Sequence, residues 1–167
     1  MAPTQQQNLP RPLIALYQPD IPGNTGTILR MGACLNLPVA VIGPAGFDFS
    51  DSALRRAGMD YLEMSALTRF DDWTAFESWR KTENRRLVLL TTKAETAYHA
   101  FEWQPGDIAL FGRESSGVPD SVHDSADKQL TIPMRDGARS LNLAVSAAMV
   151  AGEMVRRLAI QAELSIG

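Results

Sequence analysis

Short apolar runs alternate along the chain with stretches in which apolar residues recur at helical spacing. The runs have the length and composition of strands that are covered on both faces. The predicted strands cover residues 13–17, 39–42, 86–92, 107–111 and 129–132, with a further short strand near 61–64.

The stretches between these runs predict helices. Trp73, Phe76 and Trp79 follow one another at three-residue intervals, which is typical of one helix face. The predicted helices cover residues 25–37, 52–57, 71–80 and 140–162. Because strands and helices alternate, we expect an α/β fold with a mostly parallel sheet flanked by helices.

The last predicted helix is apolar nearly all round. From Leu141 to Val155 the strongly polar side chains are Asn142, Ser146 and Glu153. Such a helix must be covered on nearly every side. Either it is a central core helix, or a second subunit covers part of it and the protein is a homodimer.

Length and composition narrow the class of protein. The chain has 167 residues and an average apolar content, which predicts one domain over residues 13–162. We expect a disordered tail over residues 1–12, which are rich in Gln and Pro, and a short tail over 163–167.

One cysteine and two histidines exclude a disulfide framework and a Cys-rich or multi-His metal site. No run approaches the roughly 18 apolar residues of a membrane span, and the N-terminus has no secretory signal, so we expect a cytoplasmic protein without a membrane partner.

Three polar loops follow predicted strands and carry the candidate chemistry. They cover 22–30, 111–119 and 133–142. Ligands of open α/β sheets bind beyond the carboxyl ends of the strands, so these loops can converge on one pocket, which the strand end at 90–92 can join. Each loop also has a plain structural interpretation. Asn24 can simply cap the first helix, and Glu114 can be a solvated acid in a tight turn.

Together, the loops resemble the three ordered motifs of the SPOUT RNA 2′-O-methyltransferases. The matching strings are Asn24-x-Gly26-x-x-x-Arg30, Phe111-Gly112-x-Glu114-x-x-Gly117-Val118-Pro119, and Ile132-Pro133-Met134 followed by Arg139-Ser140-Leu141-Asn142-Leu143. The strings at 19–22, 54–61 and 90–93 are most similar to the small, single-domain subgroup. That subgroup methylates the wobble cytidine or uridine of tRNA.

The resemblance implies a fold and a set of partners that composition does not show. The implied fold has a C-terminal deep trefoil knot, an exception to the rule that chains are unknotted. The implied partners are S-adenosylmethionine bound in the knot, the anticodon stem-loop of tRNA, and a second subunit in a homodimer. No metal is implied. The implied cofactor-binding residues are Leu90, Thr91, Thr92, Gly112, Gly117, Ile132, Met134, Ser140 and Leu141.

The implied catalytic residues are Arg30, Asn24, Glu114 and Asn142. Arg30 can clamp a phosphate through two parallel hydrogen bonds, and because arginine stays protonated we expect it to position substrate electrostatically. Glu114 is expected to orient Arg30 or to accept the proton of the hydroxyl. The two asparagines are expected to hold the ribose or the carboxylate of the cofactor.

RNA binding must use a local patch, because the formal net charge is −3. Residues 94–134 hold two Lys or Arg against seven Asp or Glu, so that stretch is a poor RNA face. The candidate phosphate contacts are Arg55, Arg56, Arg69, Arg85, Arg86, Lys93, Arg135 and Arg139.

Three alternatives stay open at this point. The enzyme can act on another tRNA position or on rRNA, the chain can bind cofactor or RNA without catalysis, or it can be an unrelated nucleotide-binding protein. The absence of a Gly-rich phosphate loop after the first strand argues against the last.

Overall fold

The computed structural model describes residues 10–56 and 66–158. In this part of the chain the strands are Leu13–Tyr17 (β1), Val39–Ile42 (β2), Leu67–Phe70 (β3), Leu87–Leu90 (β4), Ile108–Phe111 (β5) and Lys128–Leu130 (β6). The helices are Pro22–Leu35 (α1), Asp51–Arg56 (α2), Trp73–Thr82 (α3), Asp120–Ser125 (α4) and Leu143–Arg157 (α5), with a 3-10 turn at Tyr98–Ala100.

The six strands form one sheet in the order β3-β2-β1-β5-β4-β6, and each neighbouring pair is parallel. The predicted fold class is therefore confirmed. The chain first adds β2 and β3 on one side of β1. It then adds β4, β5 and β6 on the other side, with β5 next to β1. The direction changes between β1 and β5, where Ile14 pairs with Ala109. Such a change of direction opens a crevice at the carboxyl ends of the strands.

Each face of the sheet has its own apolar core, because successive strand residues point to opposite faces. Ile14 and Leu16 of β1 pack in the cluster that includes α1 and α5. Leu13, Ala15 and Tyr17 of the same strand pack in the cluster that includes α3 and α4. Coverage on both sides explains why the strand reads as an unbroken apolar run.

Two elements differ from the sequence prediction because their local patterns are weak. β3 was not predicted, since it is an edge strand whose two apolar residues, Leu67 and Phe70, are only half-buried. α4 was not predicted either, because only Val122 of its six residues is buried and it shows no periodicity. The strand predicted near 61–64 lies outside the described residues.

The predicted role of Asn24 as a helix cap is wrong. α1 begins at Pro22, and Ile21 occupies the N-cap position without a capping side chain. Proline suits the first helical turn because its missing N–H has no helical partner there. Asn24 is thus the third residue of the helix, and its side chain is available for other contacts.

α5 begins at Leu143, three residues later than predicted, and Asn142 is its N-cap. The predicted end of this helix at 162 lies outside the described residues. The trefoil knot and the division into tails and one domain stay predictions. No helix within 10–56 or 66–158 is long and apolar enough to cross a membrane.

Candidate active site

A cleft of about 570 Å³ lies beyond the carboxyl ends of the central strands. This volume is within the usual range for small-molecule sites, about 300–1,000 Å³. The structure brings together all nine predicted cofactor-binding residues and three of the four predicted catalytic residues. The cleft is lined by Leu90, Thr91, Thr92, Gly112, Gly117, Ile132, Met134, Ser140 and Leu141, together with Asn24, Glu114 and Asn142.

Glu114 connects the loop after β5 to the start of α1. Its carboxylate accepts hydrogen bonds from the backbone N–H groups of Asp20 at 2.7 Å and Ile21 at 3.3 Å. It also accepts one from Nδ2 of Asn24 at 3.4 Å. Glu114 is therefore not a solvated turn residue. It satisfies two backbone donors just before a helix that has no capping side chain of its own.

Asn24 continues this chain of hydrogen bonds to the third motif. Its Oδ1 accepts a hydrogen bond from Nδ2 of Asn142 at 2.9 Å. Oδ1 of Asn142 in turn accepts from the N–H groups of Ala144 at 2.8 Å and Val145 at 3.2 Å. One continuous network thus links the three motif loops to the N-terminus of α5.

The network fixes the orientation of the Asn24 amide. Glu114 offers only acceptors, so Nδ2 of Asn24 must face it. Asn142 uses its own Oδ1 to cap α5, so it presents its donor to Oδ1 of Asn24. Because Asn24 is only 9% exposed, a wrong orientation would bury unpaired polar atoms.

Gly112 and Gly117 are needed to fold the second motif loop. A Cβ on Gly112 would lie 2.6 Å from the carbonyl carbon of Gly117, too close for any side chain. Gly117 has a φ of +67°, which L side chains rarely adopt. The loop closes through paired backbone bonds between Arg113 and Gly117, each 2.9 Å. This closure holds Glu114 at the edge of the cleft.

An ion pair joins the first and second loops beside Glu114. Arg113 pairs with Asp20 and donates to Oε1 of Gln18 at 3.2 Å. Hydrogen bonds from Arg113 and then Ser115 lower the pKa of Asp20 from its ordinary 3.8 to about 2. Asp20 therefore stays ionised at neutral pH and holds the two loops together.

Comparison with known proteins shows the family. The model of the SpoU rRNA methylase family matches residues 11–152. The chain belongs to the SpoU rRNA methylase family. The resemblance drawn from the three motifs is thereby confirmed.

Two proteins with similar sequences are named tRNA (cytidine(34)-2′-O)-methyltransferase. The protein from Beijerinckia indica is 55% identical over 152 residues, covering 91% of this chain and 95% of its own length. The protein from Escherichia coli K12 is 43% identical over 148 residues, covering 87% and 92%. A solved structure concerned with the 2-OH methylation of C/U34 on tRNA is 36% identical and has a TM-score of 0.82, with coverage of 89% and 97%.

Arg30 stands apart from the other motif residues of this SpoU family chain. It lies on the exposed side of α1 and is not among the residues that line the cleft. The structure therefore does not bring Arg30 to the Glu114–Asn24–Asn142 network within a single chain. Its role, like the roles of the other motif residues, stays a prediction.

The cleft also contains residues that the sequence did not predict to be catalytic or cofactor-binding. Lys93 and Arg139 were predicted as RNA contacts, and several others lie within the motif strings or next to them. His123 is different, because it lies on the unpredicted helix α4 and belongs to no motif. The additional lining residues are Ile21, Leu89, Lys93, Phe111, Arg113, Ser116, Val118, His123, Thr131, Arg139, Leu143 and Ser146.

The candidate RNA contacts divide between the two ends of the sheet. Lys93 and Arg139 line the cleft, and Arg135 is exposed on the loop that leads to Arg139. Arg85 and Arg86 precede β4, at the opposite end of the sheet from the cleft. Arg69 pairs with Asp51, and the side chains of residues 55 and 56 lie outside the described part.

A second cavity of about 310 Å³ beside Arg85 and Arg86 is not a comparable site. Arg86 makes two hydrogen bonds to Asp107, each 2.7 Å, and one to the carbonyl oxygen of Glu102. Arg85 donates to the carbonyl oxygens of Arg11 and Gly106. These guanidinium groups stabilise the loops around them, so Arg85 and Arg86 are poor candidates for phosphate contact.

Within 10–56 and 66–158, the structure shows no group of three or more His, Cys, Asp or Glu side chains that could hold a metal ion.

Proposed function

We propose that this SpoU family protein transfers a methyl group from S-adenosylmethionine to the ribose 2′-hydroxyl of nucleotide 34 in tRNA. The nucleotide is cytidine or a modified uridine in the anticodon loop. The observation that carries this proposal is the cleft in which the three motif loops meet, joined through Glu114, Asn24 and Asn142. The names of the relatives favour tRNA over the rRNA of the family name. The proposed tRNA substrate supports the expected cytoplasmic location.

The residues present fit S-adenosylmethionine, which supplies a methyl group activated on a sulfonium centre. Leu90, Ile132 and Leu141 offer apolar surface for the adenine ring, and backbone groups at the strand ends offer hydrogen bonds to its edge. Ser140 and Asn142 lie at the start of α5, where hydroxyl and amide donors suit the polar parts of the molecule. The close approach of Gly112 and Gly117 keeps side chains out of this side of the cleft.

The asparagines are suited to holding the ribose hydroxyl in line with the methyl group. Nδ2 of Asn24 and Nδ2 of Asn142 each carry a second hydrogen beyond the one used in the network. Holding two reacting groups in the right geometry supplies a large part of a transfer rate. The fixed orientation of Asn24 makes this arrangement rigid before substrate binds.

Glu114 acts as a positioning residue in this proposal. Its carboxylate already accepts three hydrogen bonds from the protein, at 2.7, 3.3 and 3.4 Å. Taking up the proton of the ribose hydroxyl would weaken these bonds at the moment of reaction. Its contribution is to hold Asn24 and the start of α1 in place.

Arg30 contacts the RNA from outside the cleft. Arg30 is exposed on α1, six residues beyond Asn24. A guanidinium stays protonated and can bind a phosphate through two parallel hydrogen bonds. Arg30 therefore positions the tRNA backbone and does not remove a proton.

A homodimer covers the exposed apolar surface next to the cleft. Among the described residues, four large apolar side chains are exposed: Leu141 at 40%, Val145 at 48%, Met149 at 37% and Ile21 at 47%. Val145 and Met149 are four residues apart and lie on one side of α5, and Leu141 directly precedes the N-cap of this helix. Ile21 and Leu141 also line the cleft, so the covered surface adjoins the site. A contiguous apolar surface of this kind marks a protein interface.

Methyl transfer to a short RNA tests the proposed function. The substrate is an anticodon stem-loop with cytidine at position 34, and the matched control has 2′-deoxycytidine there. We expect incorporation of labelled methyl into the first RNA and none into the second. Equal incorporation into both would contradict ribose methylation. Cofactor binding without any transfer to tRNA or rRNA would instead indicate a binding protein.

A further inference from the structure

His123 carries a buried ring nitrogen that has no partner among residues 10–56 and 66–158. Its Nε2 is shielded from solvent and makes no hydrogen bond within this part of the chain. The same residue lines the cleft. Buried polar atoms in folded proteins are nearly always paired, so an unpaired atom at a ligand cleft indicates a partner that arrives with the ligand.

The neighbouring Gln129 determines which ring nitrogen carries the proton. Nε2 of Gln129 lies 3.1 Å from Nδ1 of His123 and 3.4 Å from the backbone carbonyl oxygen of His123. A carbonyl oxygen only accepts, so the amide nitrogen of Gln129 and not its oxygen faces His123. Nδ1 of His123 then accepts from that nitrogen, and the proton of the neutral ring is on Nε2. His123 thus presents an unused donor.

Leu89, which is 1% exposed, and Val118 pack in one apolar cluster, and both line the same cleft as His123. Val122, the neighbour of His123 on α4, belongs to that cluster. The charged side chains of the cleft are Lys93, Arg113, Glu114 and Arg139, and its amide side chains are Asn24 and Asn142. A ring N–H donor in a cleft that also offers apolar side chains suits a flat, uncharged ring that carries acceptor nitrogens.

We propose that His123 Nε2–H donates a hydrogen bond to a ring nitrogen of the adenine of the methyl donor. This inference rests on the proposed function, because it takes the donor bound in the cleft to be S-adenosylmethionine. Among the parts of that molecule, adenine alone is flat, uncharged and rich in acceptor nitrogens. The methionine part carries charges, which suit the charged and amide side chains of the cleft.

Calorimetric titration with S-adenosylhomocysteine tests the inference without relying on activity. His123→Leu removes the donor at similar volume, and we expect binding to weaken about five-fold, the usual effect of losing one neutral hydrogen bond. His123→Gln keeps a donor and should recover part of the affinity. His99→Leu is the matched control, since His99 is exposed and does not line the cleft. Gln129→Leu measures the effect of losing the Gln129 contact alone, and we expect a smaller loss than for His123→Leu.

Analogues of the ligand identify the acceptor. We expect one of the 1-deaza, 3-deaza and 7-deaza forms of S-adenosylhomocysteine to bind the wild type and His123→Leu equally. In a ¹H–¹⁵N spectrum, the Nε2–H signal of His123 should move downfield when S-adenosylhomocysteine binds. Equal affinity of wild type and His123→Leu, or the same five-fold loss with all three analogues, would overturn the inference.

Failure of the proposed function gives a different result. If S-adenosylhomocysteine binds with the expected His123 dependence but no methyl reaches nucleotide 34, the adenine contact stands and the assigned reaction is wrong. If the wild type does not bind S-adenosylhomocysteine, both are contradicted.

Discussion

Replacement of Asn142 separates its structural role from its role in the cleft. Asn142→Ala removes the N-cap of α5, which costs about 1 kcal/mol. It also leaves Oδ1 of the buried Asn24 without a donor, which costs about a further 1–2 kcal/mol. We therefore expect the free energy of unfolding to fall by roughly 2–3 kcal/mol. Urea unfolding at one fixed protein concentration measures this change.

Asn142→Asp and Asn142→Ser keep an acceptor for the α5 amides but lose the donor to Asn24. In Asn142→Asp the new charge at the helix N-terminus contributes about 0.3–1 kcal/mol, which offsets part of the loss at Asn24. With aspartate at 142, Asn24 lies between two carboxylates and cannot satisfy both through the single fixed orientation of its amide.

We expect both capping variants to lose about 1–2 kcal/mol at most, less than Asn142→Ala, because the cap is retained and only the donor to Asn24 is lost. Single-turnover methyl transfer should nevertheless fall at least about ten-fold, the equivalent of one hydrogen bond of about 1.4 kcal/mol in the transition state. Wild-type activity in Asn142→Asp would show that the orientation of Asn24 does not matter. Wild-type stability in Asn142→Ala would refute the capping and network argument.

Three further predictions follow from the loops and the exposed apolar surface. Arg30→Ala should abolish methyl transfer while calorimetry shows unchanged S-adenosylhomocysteine affinity, and equal loss of both would refute its RNA role. The lowered pKa of Asp20 stabilises the fold fully above about pH 4 and loses this effect as pH falls towards 2. The urea midpoint of the wild type should therefore exceed that of Asp20→Asn at pH 7, and the difference should shrink below pH 4; a constant difference would contradict the ion pair. Val145→Asp should yield monomers in sedimentation at a concentration at which Ser78→Asp, a charge on the exposed side of α3, leaves dimers; a dimeric Val145→Asp would place the interface elsewhere.

The sheet and the location of the cleft could be predicted from sequence because buried parallel strands leave a continuous apolar run. The runs at 13–17 and 39–42 match β1 and β2 residue for residue, since both strands are covered on two faces. Parallel strands bring their carboxyl ends to one edge, so the loops that follow them had to converge. The edge strand β3 has only one neighbouring strand, and its two central residues are exposed, so it carries no such pattern.

The contacts of individual side chains could not be predicted, because they join residues far apart in the chain. Asn24 was predicted to cap α1 from a local rule, yet its partners are Glu114 and Asn142, 90 and 118 residues away. The resemblance implied a catalytic role for Arg30, whereas the turn of α1 places this residue on the exposed side of the helix. His123 was not singled out because α4 is too short to show a pattern.

The location of the methyl group on full-length tRNA tests the central claim most directly. After reaction with S-adenosylmethionine, the tRNA is digested and the fragments are sequenced by mass spectrometry. The account predicts one added methyl group, on the ribose of nucleotide 34. A methyl group on a base, on another nucleotide, or only on rRNA supplied as a competitor would contradict it.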